Sequence, residues 1–219
     1  MSAQPPSAIE LEFVRRHDQE HARICLQSRP RGLLERLAFW RDEQLVRNAL
    51  NAAGEPGLIL DVACGAGRFL PVLAEHANRV ILASDPSREM LDHAPSHHPQ
   101  QLLKRIKTFQ SSAFTLGLSA NAVDCIFCMQ LFQHIGSAEH RLAMLAEFHR
   151  VSRDTVIVAV QVDARFKRRL ATEGAAAPLQ VSKAEVEAEF RQAGFSVLSY
   201  QDFLPGCVRK RVYVLSKTL

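Results

Sequence analysis

Residues 58–69 read LILDVACGAGRF: an apolar run passes through Asp61 and ends in Gly65 and Gly67, spaced one residue apart. LILDVA predicts a buried strand, and the glycines predict a sharp turn whose backbone can approach a ligand closely. A helix over 67–77 (GRFLPVLAEHA) would present free N–H groups at its start. By itself the stretch leaves open a dinucleotide site, another nucleotide-like cofactor site and a plain strand-to-helix turn.

Working outward, VILAS (80–84) predicts a second strand that ends at Asp85, eighteen residues beyond Gly67. A carboxylate there can accept both hydroxyls of a ribose, and it can at the same time cap a helix ahead of Pro86 and Ser87. SREMLDHA (87–94) predicts a helix, residues 94–105 are irregular, and IKTFQS (106–111) is a weak strand. VDCIFCMQLF (123–132) is a longer apolar run. AEHRLAMLAEFHRV (138–151) is an amphipathic helix with Leu142, Leu145, Ala146 and His149 on one face, and TVIVAVQV (155–162) is a strong strand. This alternation implies a parallel sheet with helices on both faces.

The ends of the chain depart from it. A helix over 182–193 opens with a capping box, Ser182 and Glu185, and Gly194 closes it. FSVLSYQ (195–201) and RVYVLSK (211–217) then follow with no room for a helix between them, so the final strand should run antiparallel. Upstream, residues 9–27 and 33–50 predict two helices, the second burying Leu34, Leu37, Ala38, Leu45 and Ala49.

The 219 residues are 47% hydrophobic and 23% charged, with a formal charge of +4, a balance that excludes disordered, collagen-like and coiled-coil classes. The first residues lack the pattern of a signal peptide, and no apolar run is long enough to span a membrane, so a cytoplasmic location is expected. Cys25, Cys64, Cys125, Cys128 and Cys207 are irregularly spaced and read as free thiols. Cys125 and Cys128 form a C-x-x-C inside an apolar strand with no second pair, so no metal site is expected. His93, His97 and His98 read as a surface loop.

The acidic residue inside the glycine turn, together with the reversed last strand, resembles the class I S-adenosylmethionine-dependent methyltransferases. SSAFTLGLSANAVDCIFC and LFQHIGSAEHRLAMLAEFHRV match that family in order and spacing. The resemblance covers residues 33–219, leaving 1–32 as an N-terminal helical segment over the active site. It implies a doubly wound, Rossmann-like, mostly parallel α/β sheet of seven strands, the last antiparallel. It also implies S-adenosyl-L-methionine as cofactor, held by Asp61, Ala63, Gly65, Gly67, Asp85, Pro86, Ser112, Ala113, Phe114 and Gln130. Asp61 would serve the amino acid part, Asp85 the ribose, and Ser112 to Phe114 the adenine. Two positions depart from the pattern. Ala63 stands where many members have glycine, which suits an ordinary strand-like φ. Ser112 stands where aspartate is frequent, so its contact to adenine would lack charge assistance.

His134, in the loop the family places under the reactive sulfur, is the candidate general base. The acceptor pocket would draw on residues 9–40, with His17, His21, Phe39 and Trp40, and on the insertion 161–181, with Arg165, Lys167, Arg168 and Arg169. The N/D-P-P-Y/F and Pro-Cys signatures of nucleobase methylation are absent. The expected acceptor is therefore a small molecule, anionic or lipid-like, methylated by direct displacement. Nucleic acid is disfavoured, RNA being the runner-up acceptor. A non-catalytic S-adenosylmethionine-binding protein and a nicotinamide oxidoreductase are the remaining alternatives.

Overall fold

The structure is a computed structural model that describes residues 32–162, 181–203 and 210–218; the side chains of residues 94–97 lie outside the description. The expected helix over 9–27, His17, His21, Arg165, Lys167, Arg168 and Arg169 fall outside the described residues, as do Cys25 and Cys207. The described chain forms a seven-stranded sheet from β1 (Leu58–Val62), β2 (Val80–Asp85), β3 (Ile106–Gln110), β4 (Val123–Cys128), β5 (Ser152–Gln161), β6 (Phe195–Asp202) and β7 (Lys210–Lys217), in the order β3-β2-β1-β4-β5-β7-β6. Neighbours from β3 to β5 pair in parallel, whereas β7 is antiparallel to both β5 and β6. The reversed last strand stands as expected.

Strand alternation divides the core into two layers. Leu60, Val62, Ile126, Cys128, Val156, Val158 and Tyr213 face one side with Leu145, Phe148, Val186 and Phe190 of α5 (Ala138–Val151) and α6 (Lys183–Gln192). Ile59, Ile81, Ala83, Cys125, Phe127, Ile157 and Val212 face the other, under α1 (Leu33–Ala52) and α2 (Leu70–Leu73). Cys125 and Cys128 thus point to opposite faces of the sheet, where one metal ion cannot reach both; burial pushes each thiol up to about 12.

Several local expectations are corrected. The helix after the glycine turn spans only Leu70–Leu73, because the left-handed Gly67 delays its start. The stretch expected to be irregular continues α3 (Arg88–His97) and then forms α4 (Gln100–Leu103), started by Pro99. In α5 the buried face is Arg141, Met144, Leu145, Phe148 and Val151, rotated from the expected one, and Ala146 is exposed. In α1, Leu45, Val46, Ala49 and Leu50 are buried with Asp42, whereas Leu34 and Leu37 are 83% and 52% exposed. Apolar periodicity locates a helix but fixes its rotation only loosely when a charged residue has a buried partner. Among the described residues, no helix is long and apolar enough to cross a membrane.

From β1 the chain moves to β2 and β3 on one side and later to β4 and β5 on the other. The strand order reverses between β1 and β4, and the crevice at their carboxyl ends is where open α/β sheets bind ligands.

Candidate functional site

The glycine turn lies at that crevice. Cys64 donates its N–H to the Ser84 carbonyl (3.0 Å) and Gly67 to the Cys64 carbonyl (2.9 Å), folding the chain back over β2. Left-handed residues alternate along it: Ala63 at φ +56°, Gly65 at +56° and Gly67 at +84°. The ordinary φ expected for Ala63 is corrected here, since its Cβ is held in a conformation that glycine would adopt without strain. At Gly67 the left-handed φ favours glycine, and a Cβ there would also crowd the Leu70 side chain.

Asp85, at the end of β2, braces the turn. Its Oδ2 accepts from the Gly65 N–H (2.8 Å) and its Oδ1 from the Ser87 N–H (2.9 Å). The sequence allows a helix cap and a ligand contact together; the structure gives the cap to Ser87, whose Oγ accepts from the Met90 N–H (3.3 Å), and leaves Asp85 to hold the turn and the Ser87 N–H. Pro86 accepts from Gln110 Nε2 at 2.6 Å. One strand over, Asp61 is only 3% exposed, and its Oδ2 has no hydrogen-bond partner. Burial, with the Asp85 charge added, holds the Asp61 carboxyl well above the usual carboxylate range. A buried acceptor of this kind suits a cationic group arriving from the crevice, and the ammonium of S-adenosylmethionine is such a group.

The loop after β3 hangs from Asp85, whose carbonyl accepts from the Ser111 N–H (3.2 Å). Ser112 Oγ accepts from the Phe114 N–H (3.2 Å), which places Ser112, Ala113 and Phe114 on one tight turn. Ala113 is buried, and Phe114 is half-buried against the core. His98 departs from its reading as a surface residue: its Nε2 donates to the Ala66 carbonyl of the glycine turn at 3.1 Å.

Gln130 follows β4 and is half-buried. His134 ends a 3-10 turn over Phe132–His134, with its N–H on the Leu131 carbonyl (2.9 Å). Gln161 Nε2 donates to Gln133 Oε1 (2.7 Å), and Gln133 Nε2 meets His134 Nε2 at 3.2 Å. Arg141 secures the loop beyond. It donates to the carbonyls of Ile135 and Gly136 (3.0 Å each) and forks onto Glu189 of α6 at 2.5 and 2.8 Å.

Phe39 and Trp40, expected at the acceptor pocket, lie on α1. The Arg68 guanidinium stacks on Phe39 at 3.9 Å, and Trp40 is 57% exposed. Arg68 also pairs with the buried Asp42 (2.6 Å), which pairs in turn with Lys210 Nζ of β7 (2.7 Å). Two cations on one carboxylate leave surplus positive charge at this edge of the crevice. Burial, opposed by Asp42, pushes the Lys210 ammonium down. Sequence reasoning missed Asp42, Arg68, Lys210, Gln133, Gln161 and the Arg141–Glu189 pair. Only an acidic residue on the apolar face of α1 signalled the first of them. The insertion beyond β5 is pinned at its ends, where Val162 bridges Val181 and the Val181 N–H bonds the Gln161 carbonyl (3.3 Å).

Residues 59–155 match a family model described as a methyltransferase domain. Magnesium protoporphyrin IX methyltransferase from Synechocystis PCC 6803, solved with bound S-adenosylhomocysteine, is 18% identical and covers 95% of this chain and 100% of its own, with a TM-score of 0.75. Its structure with bound S-adenosylmethionine is 16% identical over 99% and 100%, TM-score 0.72. A putative sarcosine dimethylglycine methyltransferase from Galdieria sulphuraria is 13% identical over 82% and 86%, TM-score 0.64. Among curated proteins there is no match. The strand order and the comparisons agree on a Rossmann-like fold, and residues 59–155 of it match the model of a methyltransferase domain.

Proposed function

We propose that the chain transfers a methyl group from S-adenosylmethionine to a small-molecule acceptor by direct displacement. The observation that carries this reading is the Asp61 carboxylate, buried without a hydrogen-bond partner beside a glycine turn that Asp85 braces. When bound, the cofactor supplies a methyl group already activated on a sulfonium. Asp61 holds the ammonium of its amino acid part, and the backbone at Ala63, Gly65 and Gly67 lets that part lie close. Asp85, with Pro86 behind it, takes the ribose hydroxyls on its carboxylate oxygens. Ser112 and the Ala113 N–H read the adenine edge, and Phe114 lies against the ring. Gln130 stands at the sulfonium end, and His134 faces the acceptor. Catalysis then rests on positioning and on keeping water out.

The surplus charge of Arg68 and Lys210 at the rim supports an anionic group on the acceptor. The small substrates printed in the names of two similar structures, a magnesium porphyrin and an N-methylated glycine, support the small-molecule class. Free thiols at Cys64, Cys125 and Cys128 fit a reducing, cytoplasmic setting.

Incubation of cell extract with the protein and methyl-labelled S-adenosylmethionine, followed by mass spectrometry, should reveal one small metabolite that gains a methyl group. Label entering RNA, or no acceptor at all, would refute the proposal. In calorimetric titration with S-adenosylhomocysteine, Asp85→Ala should weaken binding by about 10-fold or more, the scale of a lost hydrogen bond to a charged group.

A further inference from the structure

Among the described residues, the buried and half-buried arginines bind their oxygens in groups, and Arg68 departs from them. Arg41 bonds the Asp202 and Phe203 carbonyls, Arg211 both oxygens of the Asp202 carboxylate, and Arg47 the carboxylates of Glu43 and Glu75. Arg79 adds the Pro56 and Leu73 carbonyls to Glu55, and Arg141 adds those of Ile135 and Gly136 to Glu189. Arg68 bonds one oxygen, Asp42 Oδ2 (2.6 Å), through Nη2, and Lys210 Nζ takes the other oxygen of the same carboxylate (2.7 Å). The Nε and Nη1 of Arg68 have no hydrogen-bond partner among the described residues. Phe39 and Phe69 hold the guanidinium in place, with its carbon 3.9 and 4.8 Å from their ring centres. The Arg68 and Lys210 side chains are 27% and 22% exposed, so a solute can reach both.

We infer that Arg68 and Lys210 form a subsite for a carboxylate of the methyl acceptor, and that this carboxylate is a handle while the methyl goes to another atom of the same molecule. Arg68 directly follows the glycine turn, and Lys210 stands across from Gln161 at the carboxyl end of β5, so the pair lies along the crevice. Two cations on one carboxylate leave one positive charge, which a carboxylate neutralises and a phosphate monoester exceeds. A planar guanidinium with unused donors matches the same group.

The carboxylate of the cofactor is a different one. It shares a carbon with the ammonium assigned to Asp61 and so stays beside β1, whereas β7, which carries Lys210, lies three strand spacings from β1, about 14 Å. The handle role follows from charge. Attack by the carboxylate itself would discharge it, and the stabilisation given by both cations would be lost in the transition state. The inference rests on the reading of the chain as a small-molecule methyltransferase and deepens it by naming a group the acceptor carries.

Thermal melts of the full chain saturated with S-adenosylhomocysteine test the subsite without the acceptor. At matched ionic strength, benzoate should raise the wild-type midpoint and benzamide should not. Arg68→Met and Lys210→Met should each abolish the shift, and Lys210→Arg, which keeps the charge, should retain it. Calorimetry should show both methionine variants binding S-adenosylhomocysteine as the wild type does, which also establishes that they fold. No benzoate shift in the wild type, or a shift that survives both substitutions, overturns the subsite. So does a folded variant that loses S-adenosylhomocysteine affinity by about 10-fold, because the charge then serves the cofactor. With the acceptor found in extract, Lys210→Met should raise the KM for it by about 10-fold or more and leave the KM for S-adenosylmethionine unchanged, and the product should keep a free carboxylate. An unchanged KM for the acceptor, a methyl ester as product, or an acceptor without a carboxylate overturns the inference. If benzoate behaves as expected while no small molecule gains a methyl group, the subsite stands and the methyl-transfer reading falls.

Discussion

At the scale of single residues, the glycine turn combines strain with an uncompensated charge, and each makes a prediction. Ala63 is held at φ +56°, so Ala63→Gly should stabilise the protein by about 1 kcal/mol, read as a rise in the thermal midpoint. Asp61 shows the opposite tension between stability and binding. Its carboxyl is raised in the folded state by burial and by Asp85. The folded protein therefore binds this proton more tightly than the unfolded chain, and the stability it contributes at low pH is lost as pH rises through the folded value. Asp61→Asn removes that loss. Its thermal midpoint without cofactor should exceed that of the wild type by a margin that grows as pH rises, whereas its affinity for S-adenosylhomocysteine should fall about 10-fold or more. The spacing of the motif revealed which residues crowd into the turn. It did not reveal the left-handed Ala63, because a backbone angle is set by Cys64 reaching the Ser84 carbonyl on the neighbouring strand.

At the scale of elements, the loop that carries His134 is held from behind. Arg141 of α5 gathers the Ile135 and Gly136 carbonyls and the carboxylate of Glu189 on α6, and both side chains are almost fully buried. Removing one partner strands a buried charge, so Glu189→Ala should cost about 3–5 kcal/mol in denaturant unfolding. The exposed pair Arg88–Asp92 on α3 provides the contrast: Asp92→Ala should change stability by less than about 1 kcal/mol. Boundaries of these elements were legible where local chemistry sets them. The capping box at Ser182 and Glu185 starts α6 where the motif places it, and α5 spans the residues that its pattern marks. The rotation of α5 was not legible, because Arg141 looks solvent-bound until Glu189, 48 residues away, supplies its partner.

At the scale of the whole molecule, His149 joins three parts of the fold. It lies on α5 with its ring against Phe195 of β6 (5.2 Å between centroids) and against Gly194, where a Cβ would sit 2.9 Å from Nε2; it also feels the charge of Lys217 on β7. Burial first, and then Lys217, hold the imidazole below its usual 6.5, opposed by the Thr218 backbone. The folded state prefers the neutral ring. Its contribution is therefore full above about 6.5 and is lost as pH falls from there towards the lowered folded value. Thermal melts across pH 7.5 to 5.5 should show a steeper loss for wild type than for His149→Leu, about the ordinary titration range of histidine.

The sequence by itself determined the class of fold, the place of the glycine turn, the acidic residue that ends β2 and the reversed last strand, because each follows from local periodicity, turn chemistry or the length of a connection. Tertiary structure decided the rest. The strand order put β1 beside β4 and so opened the crevice. Antiparallel pairing put Gln161 opposite Lys210, and the return of β7 brought Lys210 to an aspartate 168 residues earlier in the chain. Those contacts depend on distances in space that no spacing along the chain encodes.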